Sequence, residues 1–574
     1  MRVSSLYGAA LKEAPSEADS AGHRLLLRAG YIRQLGSGLY SALPLGWRAL
    51  RKIEQILREE MDAIGGQEIS MPVVHPAEVW QVSGRWDQVG AEMLRFRDRR
   101  GTDMALAMTH EEVVAWHARS EISSYRQLPS LVYQIQTKFR DEPRARGGLI
   151  RVREFVMKDS YSLDRDEAGL IKQYEAHYAA YQHIFARCGL PVVIVASDTG
   201  MMGGKVAHEY MYVSDIGEDH LILCPSCGYA ANREVASFRR SSEPVETPAA
   251  EKVETPGTKT IAELAAFLGI GADETAKAVM YVATWDDDRP DKVVLALVRG
   301  DTEANEITIG RAVGAASLRA AEEAELRAVG LVPGYAGPMG LRDGAALVVM
   351  DGLLSAGGYV SGANEEGHHI LHVTAGRDFK ADIVTDICMA FAGAPCAACG
   401  EPLAEERGVE VGNIFQLGTR YTAAAQANFL DENGKSKPIV MGSYGIGVGR
   451  LLACLAEEHH DDGGLTLPHA IAPFQVCIVS LARKAPTREA AEALYKALLA
   501  AGVEVLFDDR PKLSAGVKFA EADLRGMPLR VVVSDRGLKG GTVELAWRAG
   551  DSERWTVPAD EAVAQIQQAL ATLG

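Results

Sequence analysis

Beyond about Leu467 the apolar positions fall into short runs of β character separated by helical stretches. They run PHAIAPFQVCIVSL, a helix through Glu489 to Ala501, VEVLFDD, a helix from Lys518 to Arg525, then LRVVVSDRGL. This alternation predicts a separate α/β domain over residues 466–574. A second mixed α/β block lies upstream. TIAELAAFLGI and ETAKAVMYVAT read as helices or helix-to-strand transitions, a central stretch near Ala315 to Val329 reads as helix, and KVVLALVRG, AALVVMD and HHILHV read as strands. Residues 239–260, Pro-rich and charged without apolar periodicity, read as the linker into that block. The pattern predicts four segments: 1–238, an insertion over 239–385, a return over 386–465, and 466–574.

Two further patterns carry chemistry. Residues 138–159, KFRDEPRARGGLIRVREFVMKD, hold seven Lys or Arg and four Asp or Glu in an otherwise acidic chain. They read as two strands joined by a turn at Gly147 and Gly148, with Lys138, Arg140 and Glu142 sharing one face of the first strand and Arg151, Arg153, Phe155, Met157 and Asp159 sharing a face of the returning one. Guanidinium forks suit phosphates and a flat ring suits a base, so a nucleotide seat competes with a merely solvated hairpin. In MGSYGIGVGRLLACLAEEHH, Gly445, Gly447 and Gly449 alternate along a strand and Arg450 opens a helix, where the macrodipole favours anions. The spacing is GxGxG, not the GxGxxG of a dinucleotide-binding turn, which sets that reading aside.

At 574 residues, 47% hydrophobic and 24% charged, the chain has the composition of a large globular enzyme. No apolar stretch reaches the roughly 20 residues that span a bilayer, and no signal pattern opens the chain, so no membrane partner and a cytoplasmic location are expected. A net charge of −17 argues against nonspecific coating of nucleic acid. Residues 466–574 balance 13 basic against 13 acidic side chains, which leaves them the less repulsive part for RNA. Of eight cysteines, Cys224 and Cys227 form one CxxC, and Cys396 and Cys399 another. If the intervening chain is an insertion, its ends return together and four thiolates suit a structural zinc; free thiols are the alternative.

Taken in order, FRxE, RxxxFxxxD and GxGxGR resemble motifs 2 and 3 of the class II aminoacyl-tRNA synthetases. The segments LRAGYIRQLGSGLYSALPLGWRAL, THEE, EVGNIFQLGTRYT and APFQV followed by VLFDDR narrow the resemblance to bacterial prolyl-tRNA synthetases, over nearly the whole chain. It implies an α/β (α+β) protein with a class II antiparallel catalytic sheet, an editing insertion and an anticodon-binding domain. It implies ATP, Mg²⁺, L-proline and tRNA for proline as ligands. Motif 1, the helix Arg48 to Ala63 and a strand ending at Pro72, implies a homodimer.

The resemblance also implies roles. Arg140 would bridge the α-phosphate and the proline carboxylate, Glu142 would position the amino acid or adenine, and Arg151 and Arg450 would hold the outer phosphates. Phe155 would stack on adenine, with Gln416, Gly445 and Gly447 in the ATP site. Thr109 and Glu111 would bind the proline amine and Phe415 would line its pocket; the plain alternative is a helix start with Thr109 as N-cap. Glu410 is the candidate Mg²⁺ carboxylate. Lys277, Gly337, Pro338, Asp351 and His369 match the editing motifs against mischarged alanine, with Lys277 holding the RNA end or polarising the ester. Asp508, Asp509 and Arg510 are candidates for the anticodon. Asn413 stands where His is expected, and Arg420 where Lys is usual. Two rival readings are a related ligase for another amino acid, and a silent paralogue that binds tRNA or only edits.

Overall fold

The computed structural model describes residues 1–574 apart from 241–244, 288, 343, 551–553, 573–574 and the side chain of 201. It divides into two compact units: residues 1–194, 199–218 and 408–574, and residues 195–198 and 219–407. The second unit thus extends past 239–385 at both ends.

In the first unit the strands Val206–Val213, Ala404–Gly418, Val440–Gly447, Glu154–Asp164 and Ser130–Phe139 lie side by side and antiparallel, with Gln67–Glu68 added in parallel. Directly opposed residues share a face. Gly445 lies across from Asn413 and Asp159, Ser443 across from Phe415 and Tyr161, and Lys138 across from Phe155, so these residues stand on one face. The reverse face carries Tyr444, Ile446 and Ile414 into a core with Tyr181, Ile184, Phe185, Leu451 and Leu455. Two helices supply most of that layer. Glu167–Cys188 starts where the Asp166 side chain accepts from the Gly169 N–H and stops at left-handed Gly189. Val448–Glu458 follows directly from the last glycine strand. Lys158, on this reverse face, donates to Ser160, Tyr181 and the Tyr444 carbonyl, which satisfies a fully buried ammonium.

Residues 476–571 form a five-stranded sheet, Val505–Asp508, Val476–Leu481, Leu529–Ser534, Thr542–Trp547, Arg554–Pro558. The first three strands are parallel and the last two antiparallel, with helices Ala485–Ala500, Ala515–Arg525 and Ala562–Ala571 covering them. This is the α/β order read from the sequence.

The second unit holds a five-stranded sheet in the order Ser317–Ala320, Ala276–Thr284, Lys292–Arg299, Leu347–Asp351, Ile383–Thr385, and a three-stranded sheet of Glu251–Glu254, His368–Val373 and Tyr359–Gly362. Two expectations change here. The stretch Ala315 to Val329 is not one helix: Ser317–Ala320 pairs with the Ala276–Thr284 strand before a short helix, Glu323–Ala328. Sheet pairing overrides the helical preference of an Ala-rich run. The linker reading also fails in part, because Glu251–Glu254 is an edge strand on His368–Val373 and Thr255 is fully buried. Charged edge strands lack the apolar periodicity by which strands are recognised. The linker residues 241–244 lie outside the described residues.

Candidate active site

Thr109 and Glu111 lead into the helix Glu111–Glu121. The N-cap is His110, with no side-chain cap, so the N-cap reading of Thr109 does not hold. Its hydroxyl donates instead to Glu111 Oε2, and the Ser443 hydroxyl donates to Glu111 Oε1 at 2.7 Å. Glu111 is 1% exposed, a carboxylate fixed by two hydroxyls on the glycine-strand face. Each oxygen keeps acceptor capacity for a further donor. Behind it, buried Glu112 pairs with Arg85 at 2.8 Å, and Arg85 lies over the rings of Trp80 and Tyr421. Phe415 is buried in the adjoining core, and its neighbour Gln416 lies opposite Gly442.

Lys138 and Asp159 are spent on each other. Lys138 Nζ meets Asp159 Oδ1 at 2.7 Å, both are buried, and Asp159 Oδ2 accepts from Gln134 and Tyr161. Tyr161 in turn accepts from the His110 N–H, which pins the Thr109–Glu111 corner to the sheet. His110 Nε2 lies 2.9 Å from the Pro72 carbonyl, as does His75 Nε2 at 3.0 Å. Burial, then the Lys138 cation, drives the His110 imidazole down to about 2. Burial lowers His75 to about 4, and burial with nearby Lys158 lowers His177 to about 3. The unfolded chain takes up these protons near pH 6.5 and the folded chain does not, so stability falls as pH drops from about 6.5 towards 4. The expected slope is up to roughly 1.4 kcal/mol per pH unit for each histidine. Urea midpoints at pH 7.5, 6 and 5 check this, and a flat series contradicts it.

The charge-rich segment is a longer loop than expected. The strands stop at Phe139 and resume at Glu154, with Gly147 and Gly148 both left-handed between them. Arg140, Glu142, Arg151 and Arg153 therefore lie in the loop, and strand alternation does not order them. Arg140 is half-buried, its guanidinium 5.4 Å from the centre of the Phe155 ring, and its buried Nε has no hydrogen-bond partner among the described residues. Burial pushes its pKa down, with the Glu410 carboxylate opposing and the Arg450 cation reinforcing. Arg151 Nε meets Glu142 at 2.8 Å and its Nη1 meets Glu218 at 2.5 Å, so phosphate at Arg151 requires an exchange of partners. Burial raises the Glu142 carboxyl, and the hydrogen bonds from Arg151 and the Arg144 N–H outweigh that, leaving it below the usual carboxylate range.

Arg450 stands in the first turn of Val448–Glu458. It donates to the Ile150 carbonyl at 2.8 Å and the Glu410 carbonyl at 2.7 Å, and reaches Glu410 Oε2 at 3.3 Å. The register slip between Tyr210 and Met211 inserts a residue into the Ala404–Gly418 strand and turns Glu410 towards Asn413, whose Nδ2 donates to Oε1 at 2.6 Å. A side chain at Gly445 would press on Asn413 Oδ1 at 3.1 Å, and at Gly447 on Arg450 Cβ at 3.4 Å. Gly445 therefore keeps the sheet face open beside Asn413. Sequence reasoning missed Ser443 and the Arg85–Glu112 support, because both depend on sheet register and long-range packing.

In the second unit, Gly337 and His369 come together through Gly362, and buried Pro338 follows Gly337 in the chain. The Gly337 N–H donates to Asn364 Oδ1 at 3.0 Å, and a Cβ on Gly337 would fall 2.0 Å from the Gly362 carbonyl oxygen. Gly362 lies across from His369, which packs 5.5 Å from the Tyr335 ring and meets the Thr255 hydroxyl at 2.6 Å. Burial lowers His369 to about 4. Lys277 lies on the Ala276–Thr284 strand with its amine 3.5 Å from the Thr302 carbonyl. Asp351 departs from the expectation of an editing group. It is fully buried and accepts from the Leu353, Ile387 and Cys388 N–H groups and from Arg240, so its carboxylate is structural. Cys224, Cys227, Cys396 and Cys399 bring all four sulfurs within 4.8 Å of one another.

Asp508 departs in the same way, being 2% exposed and paired with Arg510 at 2.6 Å. Asp509 accepts from the Ser4 hydroxyl and pairs with Arg2, which fastens the chain's start to this domain. Buried Asp508 is not placed to read base edges, whereas Asp509 and Arg510 are part-exposed, Arg510 being paired with Glu521 as well as Asp508.

A family model described as the tRNA synthetase class II core domain (G, H, P, S and T) matches residues 94–459, and one described as an anticodon binding domain matches residues 475–569. A proline–tRNA ligase of Salinispora tropica is 54% identical over 100% of this chain and 97% of its own length. One of Dehalococcoides mccartyi is 47% identical over 99% and 98%. Among solved structures, prolyl-tRNA synthetase from Cryptosporidium parvum complexed with halofuginone and AMPPNP superposes with a TM-score of 0.58 at 14% identity, covering 99% of this chain and 80% of that one. That likeness shows the shared fold. No helix among the described residues is long and apolar enough to cross a membrane. With this identity from end to end and the core match over residues 94–459, the chain belongs to the proline–tRNA ligases, within the class II tRNA synthetases.

Proposed function

We propose that this chain joins L-proline to its tRNA in two steps, through a prolyl-adenylate made from ATP, and that its second unit hydrolyses mischarged alanyl-tRNA. The observation that supports the first reading best is the common sheet face. Glu111, held by Thr109 and Ser443, lies on the same face as Phe155, with Arg140 packed on that ring and Arg450 beside the glycine strand. A desolvated secondary ammonium wants a fixed carboxylate, and Glu111 offers one. The proline carboxylate is already ionised, so activation needs no general base. The barrier is bringing two anions together, and cations preorganised at the reacting phosphate lower it. Arg140 draws the carboxylate and the α-phosphate together, Phe155 takes the adenine, and Arg450 takes the outer phosphates. The nucleophile is a proline carboxylate oxygen, the bond broken joins the α- and β-phosphates, and pyrophosphate leaves. The adenylate then passes its prolyl group to the terminal ribose of tRNA and releases AMP.

Glu410 is a single carboxylate beside Arg450, which suits a magnesium ion held mainly by phosphate oxygens and water. When bound it would supply charge neutralisation at those oxygens. Zinc is the ion that the four thiols fit. The exposed Tyr7, Leu35 and Trp47, at 77%, 82% and 50%, support the homodimer that the family implies. Amino-acid-dependent exchange of pyrophosphate into ATP tests the main reading.

Alanine enters any pocket that holds proline, and the missing methylene contacts discriminate by only about 1–3 kcal/mol. A second, smaller pocket resolves this. Gly337 would stand in its wall, where a Cβ would fall 2.0 Å from the Gly362 carbonyl oxygen. Lys277→Ala and Gly337→Ala are both expected to slow alanyl-tRNA hydrolysis by about 10²-fold with prolylation unchanged. Unchanged hydrolysis in Lys277→Ala removes that residue from the site.

A further inference from the structure

The four cysteines sit in two matching turns. In the first, the Cys224 N–H donates to the Tyr229 carbonyl and the Gly228 N–H to the Cys224 carbonyl, at 2.7 and 3.0 Å. In the second, the Cys396 N–H donates to Glu401 and the Gly400 N–H to Cys396, at 2.8 and 2.9 Å. Gly228 and Gly400 are both left-handed, with φ of 76° and 86°. The same knuckle is therefore built twice. The cross-knuckle sulfurs lie 3.5 Å apart for Cys224 and Cys399, and 3.7 Å for Cys227 and Cys396. A tetrahedral ion with Zn–S bonds of about 2.3 Å sets sulfurs roughly 3.8 Å apart. Four thiolates outweigh the charge of one zinc ion. The Arg239 guanidinium lies against this anionic site, donating to the Ala397 and Ala398 carbonyls at 3.3 and 2.8 Å.

From the second knuckle a continuous set of contacts leads to Lys277. Phe238 bridges Cys396, and the Arg239 N–H donates to the Pro395 carbonyl at 2.8 Å. The next residue, Arg240, meets buried Asp351 at 3.3 Å and Asp386 at 2.9 Å. Asp351 accepts from the Ile387 and Cys388 N–H groups. The 387–389 segment pairs with 303–305, where the Asn305 N–H donates to Ile387 and the Met389 N–H to Glu303, both at 2.8 Å. Thr302, which precedes that segment, holds the Lys277 amine.

We infer that Cys224, Cys227, Cys396 and Cys399 bind one structural zinc ion, and that this ion clamps residues 238–240 and 386–400 so that the Lys277 site keeps its shape. Binding replaces four S–H protons by four Zn–S bonds and involves no redox change. The ion serves the second unit alone. Its effect on hydrolysis rests on the editing reading above, whereas its presence and its effect on local order do not.

The test uses the full chain purified without chelators. Metal analysis is expected to give one zinc per chain, falling to none in Cys227→Ser with Cys399→Ser, two exposed positions whose loss leaves the buried pair in place. Cys399→His, which keeps four ligands, is expected to retain the metal. Stripping zinc is expected to raise amide exchange across residues 219–240 and 386–402, to slow alanyl-tRNA hydrolysis by about tenfold, and to leave proline-dependent pyrophosphate exchange unchanged. Absence of zinc, even after incubation with zinc chloride, overturns the proposal. Zinc whose removal leaves amide exchange unaltered overturns the clamp. If the zinc-loaded chain hydrolyses no alanyl-tRNA, the editing reading fails, and metal content and amide exchange still decide the site.

Discussion

Arg140→Ala is expected to lower proline-dependent pyrophosphate exchange by about 10²–10³-fold, the cost of removing one preorganised charge from a developing anion. A half-buried guanidinium normally finds a carboxylate fork, yet the buried Nε of Arg140 has no hydrogen-bond partner among the described residues and the group rests on Phe155. Burial already pushes its pKa down, so the protein carries a desolvated cation that is relieved when an anion arrives. Arg140→Lys is expected to recover little, because a point charge cannot hold two oxygens of different molecules in one plane. Loss in kcat with an unchanged KM for ATP would place Arg140 at the reacting phosphate. A loss confined to KM would assign it to ground-state binding.

Glu111→Gln is expected to raise the KM for proline by at least about 10²-fold, since a charged hydrogen-bond partner left buried and unpaired costs about 3–5 kcal/mol. The swap is nearly isosteric and keeps acceptors for Thr109 or Ser443, so the fold is expected to survive. Ser443→Ala leaves the charge and removes one of its two hydroxyl supports, and is expected to cost about tenfold in the same KM. Equal effects of the two substitutions would mean that Glu111 acts through packing rather than charge. Titrating proline against each variant in the exchange reaction separates these outcomes.

The elements that carry this site were partly legible in the residues, for identifiable reasons. Strand periodicity with glycine punctuation located both the Glu154–Asp164 strand and the Val440–Gly447 strand, and the helix opening at Arg450 followed from its apolar run. What the residues could not show was register. Whether Lys138 meets a phosphate or Asp159 depends on which strands are neighbours, and the buried pair makes the difference. The loop from Arg140 to Arg153 looked like strand because its charges alternate, yet its two limbs meet at isolated backbone contacts, Arg140 with Arg153 and Arg146 with Arg151, and not in a continuous ladder. Asp351 and Asp508 carry the same lesson. Each matched a functional expectation, and each is spent on backbone N–H groups or a neighbouring arginine. Asn413, the departure from the expected His, pairs with Glu410 and so acts on the carboxylate beside Arg450.

Amino-acid-dependent pyrophosphate exchange, run with each standard amino acid on the unaltered chain and repeated with Arg140→Ala, decides whether the chain activates proline. Strong exchange with proline, weaker exchange with alanine, and loss of both in the variant are expected. Exchange with a different amino acid, or none with proline, would contradict that activity.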